Sequence, residues 1–100
     1  MAIAQLTVVP LGSGATSLSD AVAGVLKAIA ATGIQYELTP MSTILEGSLA
    51  EIFRAVQAAH EAAFAGGVAR VSTSLTIDDR RDRPIDARHK VEVVKQKMGR

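Results

Sequence analysis

The stretch Gly33-Ile34-Gln35-Tyr36-Glu37-Leu38-Thr39-Pro40-Met41-Ser42-Thr43-Ile44-Leu45-Glu46-Gly47-Ser48 decides the fold. Two short runs with strand character, Ile34 to Thr39 and Ser42 to Glu46, follow one another with Pro40 and Met41 at the junction, which makes a tight β-β connection. Pro40 has no N–H to give to a ladder and suits an edge strand or a bend. Gly33, ahead of the first run, accepts the left-handed conformation in which helices end. Ser48-Leu49-Ala50-Glu51, behind the second, is a capping box in which each side chain satisfies a backbone donor of the other residue. The hairpin therefore lies between two helices.

Working outward, Ile3 to Pro10 is rich in β-branched and apolar residues and reads as a first strand, with Leu6 and Val8 on one face and Gln5, Thr7 and Val9 on the other. A small, glycine-rich segment follows from Leu11 to Ser17; then Val22, Val25, Leu26 and Ile29 recur at helical spacing, with Ser17 as the expected N-cap and Asp20 behind it. Beyond Ser48, the positions Leu49, Ile52, Phe53, Val56, Ala59, Ala63 and Phe64 form one apolar stripe that Gly66-Gly67 ends. Val68 to Ile77 reads as a fourth strand running into the exposed charges Asp78-Asp79-Arg80-Arg81-Asp82-Arg83-Pro84. Asp86 then caps a short terminal helix with Val91, Val94 and Met98 on one side. This order is the split βαβ arrangement: an α+β, ferredoxin-like βαββαβ sandwich with an antiparallel four-stranded sheet, helices on one face and a short C-terminal helix. The other face, carrying Thr7, Ser72, Ser74 and Thr76, is left open for sheet packing or a lined pocket.

A chain of 100 residues supports one core, so residues 1–100 read as a single domain. Apolar residues make up 48% of the chain but aromatics only 3%, so the interior is built from Val, Ile, Leu and Ala and is thin enough that self-association would relieve exposed apolar surface. A net charge of +1 offers no broad field for nucleic acid or anionic lipid, and the first strand lacks the aromatics on which RNA-recognition domains of this topology stack bases. The absence of cysteine excludes disulfides and thiol catalysis and suits a reducing compartment. The N-terminus has no basic n-region and no stretch reaches the ~20 apolar residues of a membrane helix, so a cytoplasmic chain without a membrane partner is expected.

Several blocks, in this order and spacing, resemble the thiamine-binding protein family. They are Val9-Pro10-Leu11-Gly12 with Thr16-Ser17, Tyr36-Glu37-Leu38-Thr39-Pro40-Met41 with Thr43, Glu46-Gly47, His60-Glu61-Ala62, and Ile77-Asp78-Asp79-Arg80-Arg81-Asp82. The resemblance covers nearly the whole chain. It implies a homotetramer built as a dimer of dimers, binding thiamine or a hydroxymethylpyrimidine by non-covalent contacts. Ser42 stands where the family pattern often has glycine, a departure that bears on hairpin and pocket shape.

Thiamine combines a cationic thiazolium, an aminopyrimidine with donors and acceptors on one edge, and a hydroxyethyl arm; its site wants a carboxylate, hydroxyls or backbone groups, and apolar surface. Thr39, Met41, Ser42, Thr43 and Glu46 supply all three, unless they only shape the hairpin and Glu46 is a solvated charge. Pro10, Gly12 and Ser17 belong to a loop leading into a helix N-terminus, whose free amides favour an acceptor; a plain strand-to-helix turn is the alternative. The loop has neither the third glycine of a dinucleotide fingerprint nor a P-loop lysine. In the charged run each acid has a base beside it, which reads as a salt-bridge patch, with Asp78 the member placed to reach a ligand or a neighbouring subunit. His60 reads as a packed or hydrogen-bonded side chain, and neither it nor His89 has metal-ligand spacing. No nucleophile-and-base pattern stands out. The expected function is non-catalytic binding of thiamine or a related hydroxymethylpyrimidine, with thiamine a ligand and no cofactor. The alternative is an oligomeric structural or regulatory interaction module.

Overall fold

The chain is described from a computed structural model over residues 1–14, 18–84 and 86–99. Strand β1 (Ala2–Leu11) is followed by helix α1 (Ser19–Ala31), the hairpin β2 (Gln35–Leu38) and β3 (Thr43–Gly47), helix α2 (Leu49–Ala62), a 3-10 turn (Ala63–Gly66), strand β4 (Arg70–Asp79) and helix α3 (Ala87–Met98). The sheet has four strands in the order β2-β3-β1-β4, with every neighbouring pair antiparallel. This is the ferredoxin-like α+β arrangement.

The local signals act as their chemistry requires. The Ser48 hydroxyl accepts from the Glu51 N–H at 3.2 Å while the Ser48 N–H donates to Glu51 Oε1 at 2.9 Å, closing the capping box. Asp86 accepts from the His89 N–H at 2.6 Å and starts α3. Gly33 and Gly67 end their helical segments at φ +81° and +84°, a region L side chains enter only with strain. The expected cap Ser17 lies outside the described residues.

Every strand is shifted by a residue or two from the sequence reading. β1 spans Ala2–Leu11 instead of Ile3–Pro10, β2 Gln35–Leu38 instead of Ile34–Thr39, and β3 Thr43–Gly47 instead of Ser42–Glu46. β4 spans Arg70–Asp79 instead of Val68–Ile77, which draws Asp78 and Asp79 into the strand. The α2 stripe is also recentred. Ile52, Ala55, Ala59 and Ala63 are buried, whereas Phe53 is 54% exposed. Small side chains let α2 approach the sheet and α1 closely, so the bulky ring falls to the margin.

The core lies between the helices and one sheet face: Ala2, Ala4, Leu6 and Leu45 from the strands, Val25 and Ile29 from α1, Ile52, Ala55 and Ala59 from α2, and Ala63 from the 3-10 turn. Register assigns Ile3, Gln5, Thr7 and Val9 of β1 to the opposite face, beside Asp78, Thr76, Ser74 and Ser72 of β4. α3 stands at one end of that face. The Ala87 N–H donates to Glu46 Oε1 at 2.6 Å, and Lys90 pairs with Asp78, while Val91, Val94 and Met98 remain exposed. No helix among the described residues is long and apolar enough to cross a membrane.

Candidate functional site

The hydrogen-bond phase of the sheet can be followed from the hairpin outward. The Thr39 N–H donates to the Ser42 carbonyl at 2.8 Å, which makes Thr39 and Ser42 a hydrogen-bonded pair. Such pairs alternate with non-bonded ones in an antiparallel ladder, so Gln35↔Glu46 and Glu37↔Ile44 are bonded too. The main-chain groups of Thr43, Leu45 and Gly47 therefore turn the other way, to Leu6, Ala4 and Ala2. Even-numbered residues of β1 point their N–H and C=O toward β3, and odd-numbered ones point toward β4. β3 ends at Thr43, opposite Leu6, while β1 continues to Leu11. Pro10, with no N–H, faces the side that β3 no longer covers and so removes no ladder bond.

That offset opens a cleft of about 130 Å³ between the hairpin, β1 and α1. Thr39, Pro40, Met41, Ser42 and Thr43 form one wall; Leu6, Thr7 and Val8 form the floor; Val22 and Val25 of α1 close the side. Four hydroxyl residues and a set of aliphatic groups meet there, and none of the lining side chains is charged. Thr39 Oγ1 donates to the Ser42 carbonyl at 2.9 Å and accepts from the Ser42 N–H at 3.1 Å, so this hydroxyl holds the turn in shape and presents the others. Met41 is 85% exposed and stands at the rim.

The sequence-predicted residues divide between places. Thr39, Met41, Ser42 and Thr43 line the cleft. Glu46 is buried on the opposite sheet face, where its carboxylate receives the first N–H of α3. With Thr39, Tyr36, Glu37, Ile3 and α3 it lines a wider groove of about 860 Å³. Asp78 is paired with Lys90 beside that groove. Pro10 is buried and lines a separate hollow of about 410 Å³ with Asp20, Ala21, Gly24 and Ala63, and Gly12 is exposed with open space around it. The structure thus does not bring Pro10, Gly12, Glu46 or Asp78 into the cleft, and Ser17 lies outside the described residues. The cleft residues that the sequence reading did not single out as a site are Leu6, Thr7, Val8, Val22, Val25, Leu38 and Pro40. The sequence shows that β1 is longer than β3, but which end overhangs is set by the pairing of Leu6 with Thr43.

Two ion pairs form within the charged run. Arg81 pairs with Asp79 at 2.8 Å and Arg80 with Asp82 at 2.5 Å. The hydrogen bond from the Arg80 guanidinium pulls the Asp82 carboxyl down to about 2, and Arg81 lowers Asp79 in the same way. His60 Nδ1 shares a hydrogen bond of 2.7 Å with Thr73 Oγ1 and meets the Phe64 ring edge-on at 5.5 Å, so it ties α2 to β4.

Topology, register and the layering of helices on one sheet face define a ferredoxin-like α+β sandwich with a notch beside its central hairpin. The profile of the family described as Thiamine-binding protein matches residues 4–95, and the chain belongs to that family. It is 48% identical over 99 residues to the UPF0045 protein of Methanothermobacter thermautotrophicus, covering 98% of this chain and 100% of that one. It is 43% identical over 102 residues to the UPF0045 protein YqgV of Bacillus subtilis, covering 98% of each. Among solved structures, the hypothetical protein MJ1052 of Methanocaldococcus jannaschii superposes with a TM-score of 0.85 at 32% identity, over 94% of this chain and 95% of the other.

Proposed function

We propose that this protein binds thiamine or a related hydroxymethylpyrimidine without transforming it, as a homo-oligomer in the cytoplasm. The observation that carries this reading is the hairpin cleft: hydroxyls beside aliphatic walls, uncharged, in a chain of the thiamine-binding family. At about 130 Å³ it falls below the roughly 300–1,000 Å³ of sites that enclose a drug-sized molecule, so it suits one ring with its substituents. The neutral pyrimidine is that ring; the thiazolium of intact thiamine would extend past Met41 into water. A lining with no charged side chain provides neither a general acid nor a general base, which favours binding over catalysis. Calorimetric titration with thiamine and with 4-amino-5-hydroxymethyl-2-methylpyrimidine tests the proposal. Saturable heat with either supports it; no saturable heat at millimolar ligand, in protein shown to be folded, overturns it.

Self-association is favoured by β4. The outer strand β2 is only four residues long, whereas β4 exposes a ten-residue edge without proline or lysine to blunt it. The phase derived above turns the main-chain groups of Val71, Thr73, Leu75 and Ile77 outward. Paired antiparallel about Ser74 with a second copy, Val71 would face the partner's Ile77, Thr73 the partner's Leu75, and Arg70 the partner's Asp78. Bonds, apolar pairs and charges match in one register. The open sheet face, with Ile3 and Val9, and the exposed α3 residues Val91, Val94 and Met98 would then join two such dimers into the tetramer.

A further inference from the structure

The floor of the hairpin cleft is formed by Leu6, Thr7 and Val8. Val8 is an even-numbered residue of β1, so its N–H and C=O point away from β4 and toward the side where β3 would lie. The β1–β3 register would place Met41 opposite it, but Met41 belongs to the turn, and its own N–H is directed to Thr39 Oγ1 at 3.4 Å. Among the described residues neither main-chain group of Val8 has a hydrogen-bond partner. Unpaired backbone groups in a half-buried strand are uncommon, because each costs free energy unless water or a ligand meets it. Val8 lines the cleft, and the ladder phase turns both groups toward its hairpin side.

We infer that the N–H and C=O of Val8 form the recognition edge of the cleft and read an amidine-type heterocycle, one with a ring nitrogen beside an exocyclic amino group. In a hydrogen-bonded antiparallel pair, each residue gives one N–H and takes one N–H from the residue opposite. The edge of a 4-aminopyrimidine does the same: its ring nitrogen accepts from the Val8 N–H and its amino group donates to the Val8 C=O. The ring thus occupies the place of the missing β3 residue, with Val22 and Val25 on one side and the hairpin on the other. A 4-oxo ring, which presents an acceptor where the amino group donates, is rejected. The inference rests on the proposed pyrimidine binding and assigns the contact that selects among pyrimidines.

Two readouts test it, both on the full chain. In nitrogen-15 heteronuclear spectra, 4-amino-5-hydroxymethyl-2-methylpyrimidine moves the Val8 amide downfield on saturation, and the analogue lacking the amino group binds about tenfold or more weakly, since it leaves the Val8 carbonyl unmet. Val8→Pro removes the donor while leaving the β4 ladder intact, as Pro10 already does two residues on, and it weakens the same pyrimidine by a similar factor. If the aminopyrimidine saturates the protein with the Val8 amide unmoved and the analogue binds equally well, this inference is wrong and the binding proposal stands. If neither compound binds folded protein, the binding proposal itself fails and takes this contact with it.

Discussion

At the scale of single residues, Leu6 and Val25 serve both the core and the cleft, whereas the cap of α2 stands apart from it. Ser48 and Glu51 satisfy one another's backbone donors, so Ser48→Ala lowers stability by about 1 kcal/mol in urea unfolding. The Asp82 carboxyl, held at about 2 by Arg80, titrates below the ordinary value of 3.8. Because the folded value is the depressed one, this pair stabilises above pH 3.8 and its contribution is lost as pH falls toward 2. Carboxyl-detected NMR should place the Asp82 midpoint near 2 and return it toward 3.8 in Arg80→Gln. Thr39 shows how a residue type can be read correctly and its role only partly. Its hydroxyl was legible as a polar group beside the hairpin, but that it closes the turn on Ser42 depends on a backbone geometry that composition does not encode.

At the scale of elements, hydrophobic spacing, the capping box and the glycine stops identified the four strands and three α-helices of the described residues, though not the 3-10 turn, because each signal is local to the element it defines. What spacing does not contain is the offset between strands far apart in sequence. That β1 outruns β3 follows from pairing Leu6 with Thr43, a contact across the whole of α1, and the cleft exists only because of it. Glu46 makes the same point. It was legible as a carboxylate next to the hairpin, while its partner is the Ala87 N–H, 41 residues on. This bond and the Asp78–Lys90 pair are the polar ties of α3 to the sheet, so Glu46→Ala releases α3 without unfolding the core. Amide exchange along Ala87–Met98 then accelerates while Leu45 and Ile52 keep their protection, and Glu46→Gln, which keeps an acceptor, restores much of the difference.

At the scale of the whole molecule, a sheet covered by helices on one side leaves one long edge, one open face and one notch, and the proposed function gives each an occupant: a second copy for the edge and the face, a ring for the notch. The edge register makes a reciprocal prediction. Arg70→Asp sets like charges opposite one another and weakens self-association, read by sedimentation velocity, and adding Asp78→Arg in the same chain restores it. In the proposed mode of binding, one aminopyrimidine ring fills the gap where β3 stops short of β1. A crystal structure of the protein with 4-amino-5-hydroxymethyl-2-methylpyrimidine tests it most directly. Ring density is expected between Val22 and the Pro40-Met41 turn, edge-on to Val8; a ring bound in the α3 groove beside Glu46, with the notch holding only water, would overturn this mode of binding.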